Sequence, residues 1–542
     1  MVQHFSFDFG DPELDANGWR LTYQVITFEN TYGMDPDKVQ KTHQDKRHVM
    51  SARRLMWAGN QEKAEGSAVL QAIETEDGLE ILTSATHTKT IRTSKVTIHG
   101  LPDGVILGNG WHETPIGEGH IFTWPMYMSA ERTHTALVFL KTNDGDYYYF
   151  RSLDTQVRHK GFAIYYDPIG EGVTVELLHS DLGPEMTNHT ETPAWLIGRT
   201  RDPDSIVHAH MKHLEEHFGL VAWEDNPRIP AWLRQIGLVA YIHGQHWTGY
   251  IFNDYDEILS VIRNLAERFD GHRILAHLAG WEGRYYWVYG DVKPDERMGG
   301  EKAFRRLCEE AHKLGVHLQL MLGGNCAHTA SPDFPRWGQP SILHTEGGAE
   351  LWGNAPDWDT ARIRDTFWQA WLNPGAPGWH MHLLETASRL VDNYGIDSIF
   401  LDTYGVWTND PAHPVYPGLI QLRDELKAKY PEVFFTGEQW WDVLAAVSPL
   451  THDDGLYLGR WWEFFYRYSR GYAFNGWGDP SRNSTGVFEG GYKPFQLIPD
   501  SPYLIPTLVV VDGTLEQAPE KVEIVIQQAK KWTERYLKSS GA

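Results

Sequence analysis

The fold turns on Ile396-Asp397-Ser398-Ile399-Phe400-Leu401-Asp402-Thr403-Tyr404-Gly405. Ile396–Leu401 reads as a strand ending in three consecutive apolar residues, and the helical pattern before it, His382–Tyr394, stops at Gly395, a residue suited to a left-handed C-cap. A second helical pattern, Leu419–Lys429, leads to another apolar strand, Val433–Thr436. The same rhythm extends outward. Ile236–Ile242, Arg273–Leu278 and Val316–Leu322 read as buried strands. Between them Ile258, Leu259, Ile262, Leu265, Ala266 and Phe269, then Ala303, Phe304, Leu307, Ala311 and Leu314, recur at helical spacing. Ile505–Val511 reads as a last strand and Pro519–Leu537 as a closing helix. Apolar strands joined by helices require a parallel sheet covered on both faces. Five clear βα units, a blurred stretch and a final unit predict an α/β fold of the (β/α)8 TIM-barrel type over residues 230–542. The competing fold is an open doubly wound sheet. Its usual Gly-rich phosphate turn is missing, because His243-Gly244-Gln245-His246-Trp247 follows the first strand.

Ahead of the barrel the period changes to two. Ala136–Thr142 and Tyr147–Ser152 flank Asn143-Asp144-Gly145-Asp146, a hairpin signal, and Gly161–Asp167 and Val173–His179 read as two further strands. Residues 1–200 are therefore expected to form an all-β sandwich domain. A helical linker, 201–229, runs from Asp202 to Gly219 and ends in Glu224-Asp225-Asn226-Pro227-Arg228-Ile229-Pro230.

The 542 residues are 41% hydrophobic and 22% charged, as in ordinary soluble domains, and carry a formal net charge of −24. Such a field repels a phosphate backbone and an anionic membrane surface, so neither nucleic acid nor membrane is an expected partner. No run of apolar residues is long enough to span a bilayer. The two cysteines, Cys308 and Cys326, are read as free thiols, and with no basic and apolar leader at Met1–Phe5 the expected location is cytoplasmic. Aromatic residues make up 13% of the chain. Large cores use them heavily, but Trp and Tyr faces also suit the C–H faces of sugar rings.

In a barrel the chemistry sits where strands end. Asp402 and Glu438 each close an apolar strand on neighbouring units, and each is flanked by aromatics. A carboxylate buried there costs several kcal/mol unless it is paired or used. Either residue alone could cap a helix or pair with an arginine. Two carboxylates converging on one cleft are what glycoside hydrolysis requires, one to attack or stabilise the anomeric carbon and one to protonate the leaving oxygen. The other strand ends supply sugar-contact candidates: His243 and His246 after the first, Trp281, Arg284 and Tyr286 after the second, Asn325 and His328 after the third. Tyr404 and Trp407 follow the fourth and Trp440 the fifth, while Asp454 lies near the sixth.

Ile396–Asp402 resembles the strand-four nucleophile motif of retaining α-glycosidase barrels. Thr436-Gly437-Glu438 resembles the strand-five acid/base motif of the α-amylase-like and endo-α-N-acetylgalactosaminidase-like families. Leu372-Asn373-Pro374-Gly375 is similar to a further segment of such barrels, and a β-rich domain ahead of the barrel is shared with the latter group. Phe400 stands where α-amylases carry an arginine, so the resemblance is to the wider group. It implies Asp402 as nucleophile, Glu438 as general acid/base, an oligosaccharide or glycoside substrate, a retaining mechanism and no cofactor. Two other classes stay open. His243, His246, His277 and His328 are numerous enough for a metal-dependent barrel hydrolase, and the aromatics would serve a sugar-binding protein without catalysis. His213-Leu214-Glu215-Glu216-His217 fits a zinc-protease pattern, but a solvated helix face explains it as well.

Overall fold

A computed structural model describes residues 10–58, 61–108, 112–126, 133–167, 172–246, 249–283, 290–353, 369–453, 465–473, 479–482 and 495–537. The N-terminal part is two antiparallel sheets of nine and ten strands. They enclose one core, to which Leu21, Ile98 and Leu177 come from the first sheet and Leu70, Ile81 and Phe150 from the second. Alternation produces this. In Leu79–His87 every second side chain is buried while most of the others reach the surface. The expected hairpin is present, with Leu137–Thr142 antiparallel to Tyr147–Ser152 and Gly145 in the left-handed region at φ +81°.

Helix α1 (Pro203–Phe218) starts at Asp202, whose carboxylate accepts the Ser205 N–H, and ends at Gly219 in a left-handed cap. Its buried face, Val207, Met211, Leu214 and Phe218, joins one apolar cluster that also takes in Leu137, Phe139 and Leu196 of the sheets and the helices around the barrel. The helical pattern read from Asp202 to Gly219 is thus a packed helix that joins the cores of the sheets and the barrel. His213 Nε2 lies 2.9 Å from the Asp154 carbonyl and Lys212 pairs with Glu216, so the zinc-protease-like pattern is used in packing and on a wet helix face.

The barrel strands, in chain order, are β1 (Leu238–His243), β2 (Ile274–Ala279), β3 (His317–Gly323), β4 (Ser398–Asp402), β5 (Phe434–Gly437), β6 (Leu450–Asp453), β7 (Arg470–Ala473), β8 (Leu504–Ile505) and β9 (Thr507–Val510). All neighbours are parallel, and β9 pairs with β1 while β8 pairs with β7. The ninefold path is therefore nearly closed, its last two segments separated only by Pro506, which has no N–H to give to a ladder. Helices α2 (Tyr255–Arg268), α3 (Gly300–Lys313), α4 (Pro377–Tyr394), α5 (Val415–Lys429) and α6 (Pro519–Tyr536) cover the outside. Each apolar side chain they bury fully contributes about 1.5–3 kcal/mol. Helix α4 starts earlier than its pattern suggests, because Pro377 opens the first turn, where a missing N–H costs nothing.

Strand parity divides the barrel residues. Leu238, Ala240 and Ile242 pack outward against the helices, whereas Val239, Tyr241, Leu275, Met321, Phe400, Phe434, Leu450, Tyr472 and Val509 fill the interior. The long insertion after β3 forms a small antiparallel sheet of Cys326–His328, Gln369–Trp371 and Trp352–Gly353. Cys308 and Cys326 are free and buried. Among the described residues no helix is long and apolar enough to cross a membrane.

Candidate active site

Leu401 of β4 is in register with Gly437 of β5, so Asp402 and Glu438, the next residues, stand side by side at the same end of neighbouring parallel strands. Adjacent strands run about 4.8 Å apart. Parity continues the inward row Ser398, Phe400 to Asp402, and the row Phe434, Thr436 to Glu438. Asp402 is 6% exposed and Glu438 half-buried.

Local features fix both carboxylates. Directly after Asp402, Thr403 adopts φ +62°, a left-handed conformation that costs a β-branched residue about 1–3 kcal/mol. The turn lets the Asp402 carbonyl accept the Gly324 N–H at 2.7 Å and the Thr403 hydroxyl donate to Cys326 Sγ at 3.5 Å. Burial, and then the charge of Asp402, pushes the Cys326 thiol far above its ordinary range, so this cysteine is a neutral neighbour. Before Glu438, a Cβ on Gly437 would lie 2.3 Å from the Tyr404 ring; only glycine allows β5 and the β4 loop to close on each other. The residues after Glu438 are pinned one by one. Gln439 N–H donates to Thr451 Oγ1 at 3.1 Å, and the Trp440 carbonyl lies 3.0 Å from His134 Nδ1. Trp441 Nε1–H donates to the Gly405 carbonyl at 3.0 Å.

The other sequence candidates divide. His243 ends β1 fully buried, held by burial down at about 3, hence neutral, and His246 lies half-buried beside Phe252. Trp407 and Trp440 are half-buried around the acid pair's loops, and His328 is half-buried after β3, its Nδ1 accepting the Ala330 N–H. Three candidates belong to the scaffold. Trp281 is fully buried, stacked on Phe304 at 4.8 Å with its N–H on the Met321 carbonyl, so it offers no face to a ligand. Tyr404 is fully buried against Gly437. Asn325 is equally buried and donates to the Val406 carbonyl at 2.9 Å, tying the β3 and β4 loops together. Arg284, Tyr286 and Asp454 lie outside the described residues.

Below the pair, His277 sits in a buried hydrogen-bond network. Its Nδ1 lies 2.8 Å from the Tyr472 hydroxyl and 2.7 Å from Gln319 Nε2. Among the described residues no group of three or more His, Cys, Asp or Glu side chains is placed to hold a metal ion. Asp512, past β9, pairs with Arg482 at 2.6 Å and accepts the Tyr250 hydroxyl at 2.8 Å. Two further carboxyls stand outside the set of sugar-contact candidates. Glu282, after β2, is 4% exposed, and neither oxygen has a hydrogen-bond partner among the described residues. Burial, reinforced by Asp291, raises it well above the carboxylate range. Asp442, four residues past Glu438, is also buried and accepts hydrogen bonds from the N-terminal sheets. A cavity of about 860 Å³ between α1 and α5 lies elsewhere, lined by Val157, Leu182, Phe218, Tyr416 and Ile420, without the acid pair.

Fold and strand-end geometry together define a parallel α/β barrel that carries antiparallel β sheets on its N-terminal side and two carboxylates on adjacent strand ends. Solved structures similar in fold include the α-N-acetylgalactosaminidase NagBb of Bifidobacterium bifidum in complex with GalNAc, at 12% identity and TM-score 0.66, covering 97% of this chain and 94% of that one. The GH36 α-galactosidase AgaA of Geobacillus stearothermophilus aligns at 13% identity and TM-score 0.51 over 95% of this chain and 75% of its own. At these identities the likeness is one of fold. No protein-family model and no curated protein matches the sequence.

Proposed function

We propose that the protein is a glycoside hydrolase that cleaves α-glycosidic bonds with retention of configuration. The observation that carries this reading is the register of Leu401 with Gly437, which sets Asp402 and Glu438 abreast at one mouth. The fold shared with an α-N-acetylgalactosaminidase and an α-galactosidase supports it. In this reading β8 and β9 count as one strand interrupted at Pro506, the barrel has eight strands, Asp402 ends the fourth and Glu438 follows the fifth.

Glu438 protonates the glycosidic oxygen while Asp402 attacks the anomeric carbon, and the C–O bond to the leaving group breaks as the bond to Asp402 forms. Glu438, now a carboxylate, takes a proton from water, whose oxygen displaces Asp402 and releases the sugar. The mechanism calls for carboxyl groups about 5–5.5 Å apart, within reach of side chains on neighbouring strands.

The test is a panel of aryl α-galactosides, α-N-acetylgalactosaminides and α-glucosides. Wild type turns over at least one, with an α-configured first product by NMR. Asp402→Asn folds and loses turnover, and Glu438→Ala loses about 10²–10⁴-fold. Near-wild-type activity in Asp402→Asn rejects the nucleophile, and a β-configured first product rejects retention.

A further inference from the structure

The loop that carries Glu438 is held from the other domain. Asp442 opens the short helical turn Asp442–Ala446 and is 4% exposed. Its Oδ1 accepts the Trp124 indole N–H at 2.9 Å and the Val443 N–H at 2.8 Å, and its Oδ2 accepts the Thr135 hydroxyl at 2.5 Å. Its own N–H donates to the His134 carbonyl at 2.8 Å. Trp124, His134 and Thr135 all belong to the N-terminal sheet region. Trp124 also packs edge-on against Trp441 at 6.1 Å.

The carboxylate is the end of a chain of donors. Arg151 Nε donates to His210 Nδ1 at 3.2 Å, which leaves the proton of that ring on Nε2. His210 Nε2 lies 2.6 Å from Thr135 Oγ1, so the imidazole donates to Thr135 and Thr135 donates to Asp442. Burial, and then the Arg151 guanidinium, keeps His210 well below its ordinary range, as a neutral donor requires. Arg151 is further tied to the Ala209 carbonyl of α1 at 2.9 Å. Sheets, α1 and the β5 loop thus converge on one carboxyl, and between it and Glu438 lie three residues, each bonded in place.

We propose that Asp442 is a positioning residue through which the N-terminal sheets set Glu438 at the mouth of the barrel. The proposal rests on reading Glu438 as the general acid/base. A proton donor displaced by about 1 Å loses up to about a hundredfold in rate. The loss falls on the step that needs the proton, so it grows with the basicity of the leaving group.

The experiment uses the full-length protein, with phenyl and 2,4-dinitrophenyl glycosides of α-galactose and α-N-acetylgalactosamine. Thr135→Val removes the donor to Oδ2 at nearly constant shape. It is expected to lower kcat/KM for the phenyl glycoside about ten- to hundredfold, and to leave the dinitrophenyl glycoside within about twofold, because that leaving group departs without help. Thr135→Ser restores the phenyl rate. In a Glu438→Ala background Thr135→Val adds no further loss. Equal losses on both leaving groups, or a lower Tm with unchanged rates, make Asp442 a structural strut and overturn the proposal. If Thr135→Val does not fold, Trp124→Phe, which removes the indole bond and trims the contact with Trp441, is read by the same ratio. Glu438→Ala without leaving-group dependence overturns the acid/base reading itself, as does a wild type that turns over neither sugar.

Discussion

Polar side chains occupy the inward rows of the barrel at two levels. At the lower level Tyr241, His277, Gln319 and Ser398 are in register across four strands. Several of these groups bond one another: Ser398 donates to Gln319 Oε1 at 2.9 Å, Gln319 donates to the Tyr472 hydroxyl at 2.9 Å, and His277 Nδ1 meets both Gln319 and Tyr472, while His277 Nε2 has no hydrogen-bond partner among the described residues. At the upper level, about 13 Å further along β4, Asp402 and Glu438 bring two acids together. The lower layer keeps its imidazoles neutral, since burial depresses His277 and His452 far below their usual range. Burying polar groups is compatible with stability where they pair among themselves. Two ionised acids side by side repel each other. The floor is therefore read as structure, and the mouth as the place of the proposed chemistry.

The largest departure from that division is expected with pH. Above about pH 6.5 the buried histidines are neutral in both folded and unfolded chains, and their contribution is fully present. As pH falls below that value the unfolded chain takes up protons that the buried imidazoles of the folded chain refuse. Stability is lost progressively, down to about pH 3 for His243. Asp442, which burial raises to about 6, and Glu282 act in the opposite sense, because the folded state favours their protonated forms. The histidines outnumber them, with His159 and His179 lowered by burial to about 4. Tm should therefore fall between pH 7.5 and pH 5, and His452→Phe should flatten the fall. An unchanged slope in that variant would detach the floor from the pH response.

A smaller effect separates the two levels by activity. Gln319→Leu removes the link between Ser398, His277 and Tyr472, leaving buried groups short of partners at a cost of about 1–3 kcal/mol. Chemical denaturation should show that loss, while kcat per folded molecule on the best aryl glycoside stays within about twofold if the mouth is built independently of its floor. A large fall in kcat with little change in stability would merge the two layers.

Much of this arrangement is legible in the sequence because it is local. The predicted strand Arg273–Leu278 is observed as Ile274–Ala279 and Val433–Thr436 as Phe434–Gly437, since apolar runs between helical periods leave little choice. The pairing of Asp402 with Glu438 follows from each closing such a run. The side-chain direction of an aromatic or amide just past a strand is not local. Trp281, Tyr404 and Asn325 look from sequence like platforms and donors, and the structure turns all three into packing. The insertion's sheet escapes notice because its strands are two or three residues long. Asp442 gives no signal at all, as its partners Thr135 and Trp124 lie 307 and 318 positions away in the chain.

The finest test concerns the strain at the mouth itself. Thr403 holds a left-handed φ immediately after Asp402, whereas no residue of the floor layer does. Thr403→Gly relieves a cost of about 1–3 kcal/mol but gives back about 0.5–1 kcal/mol to the freer unfolded chain. Tm should therefore rise slightly or hold. The hydroxyl that reaches Cys326 is lost at the same time, and with it one restraint on the backbone that carries Asp402. A modest fall in kcat, about two- to tenfold, should accompany the gain in stability. Thr403→Val separates the contributions, because it keeps a β-branched residue in the left-handed conformation and replaces only the hydroxyl. It should lose activity without gaining stability. If Thr403→Gly melts well below wild type, the contacts of Thr403 outweigh its backbone cost, and the mouth is held together in the same way as the floor.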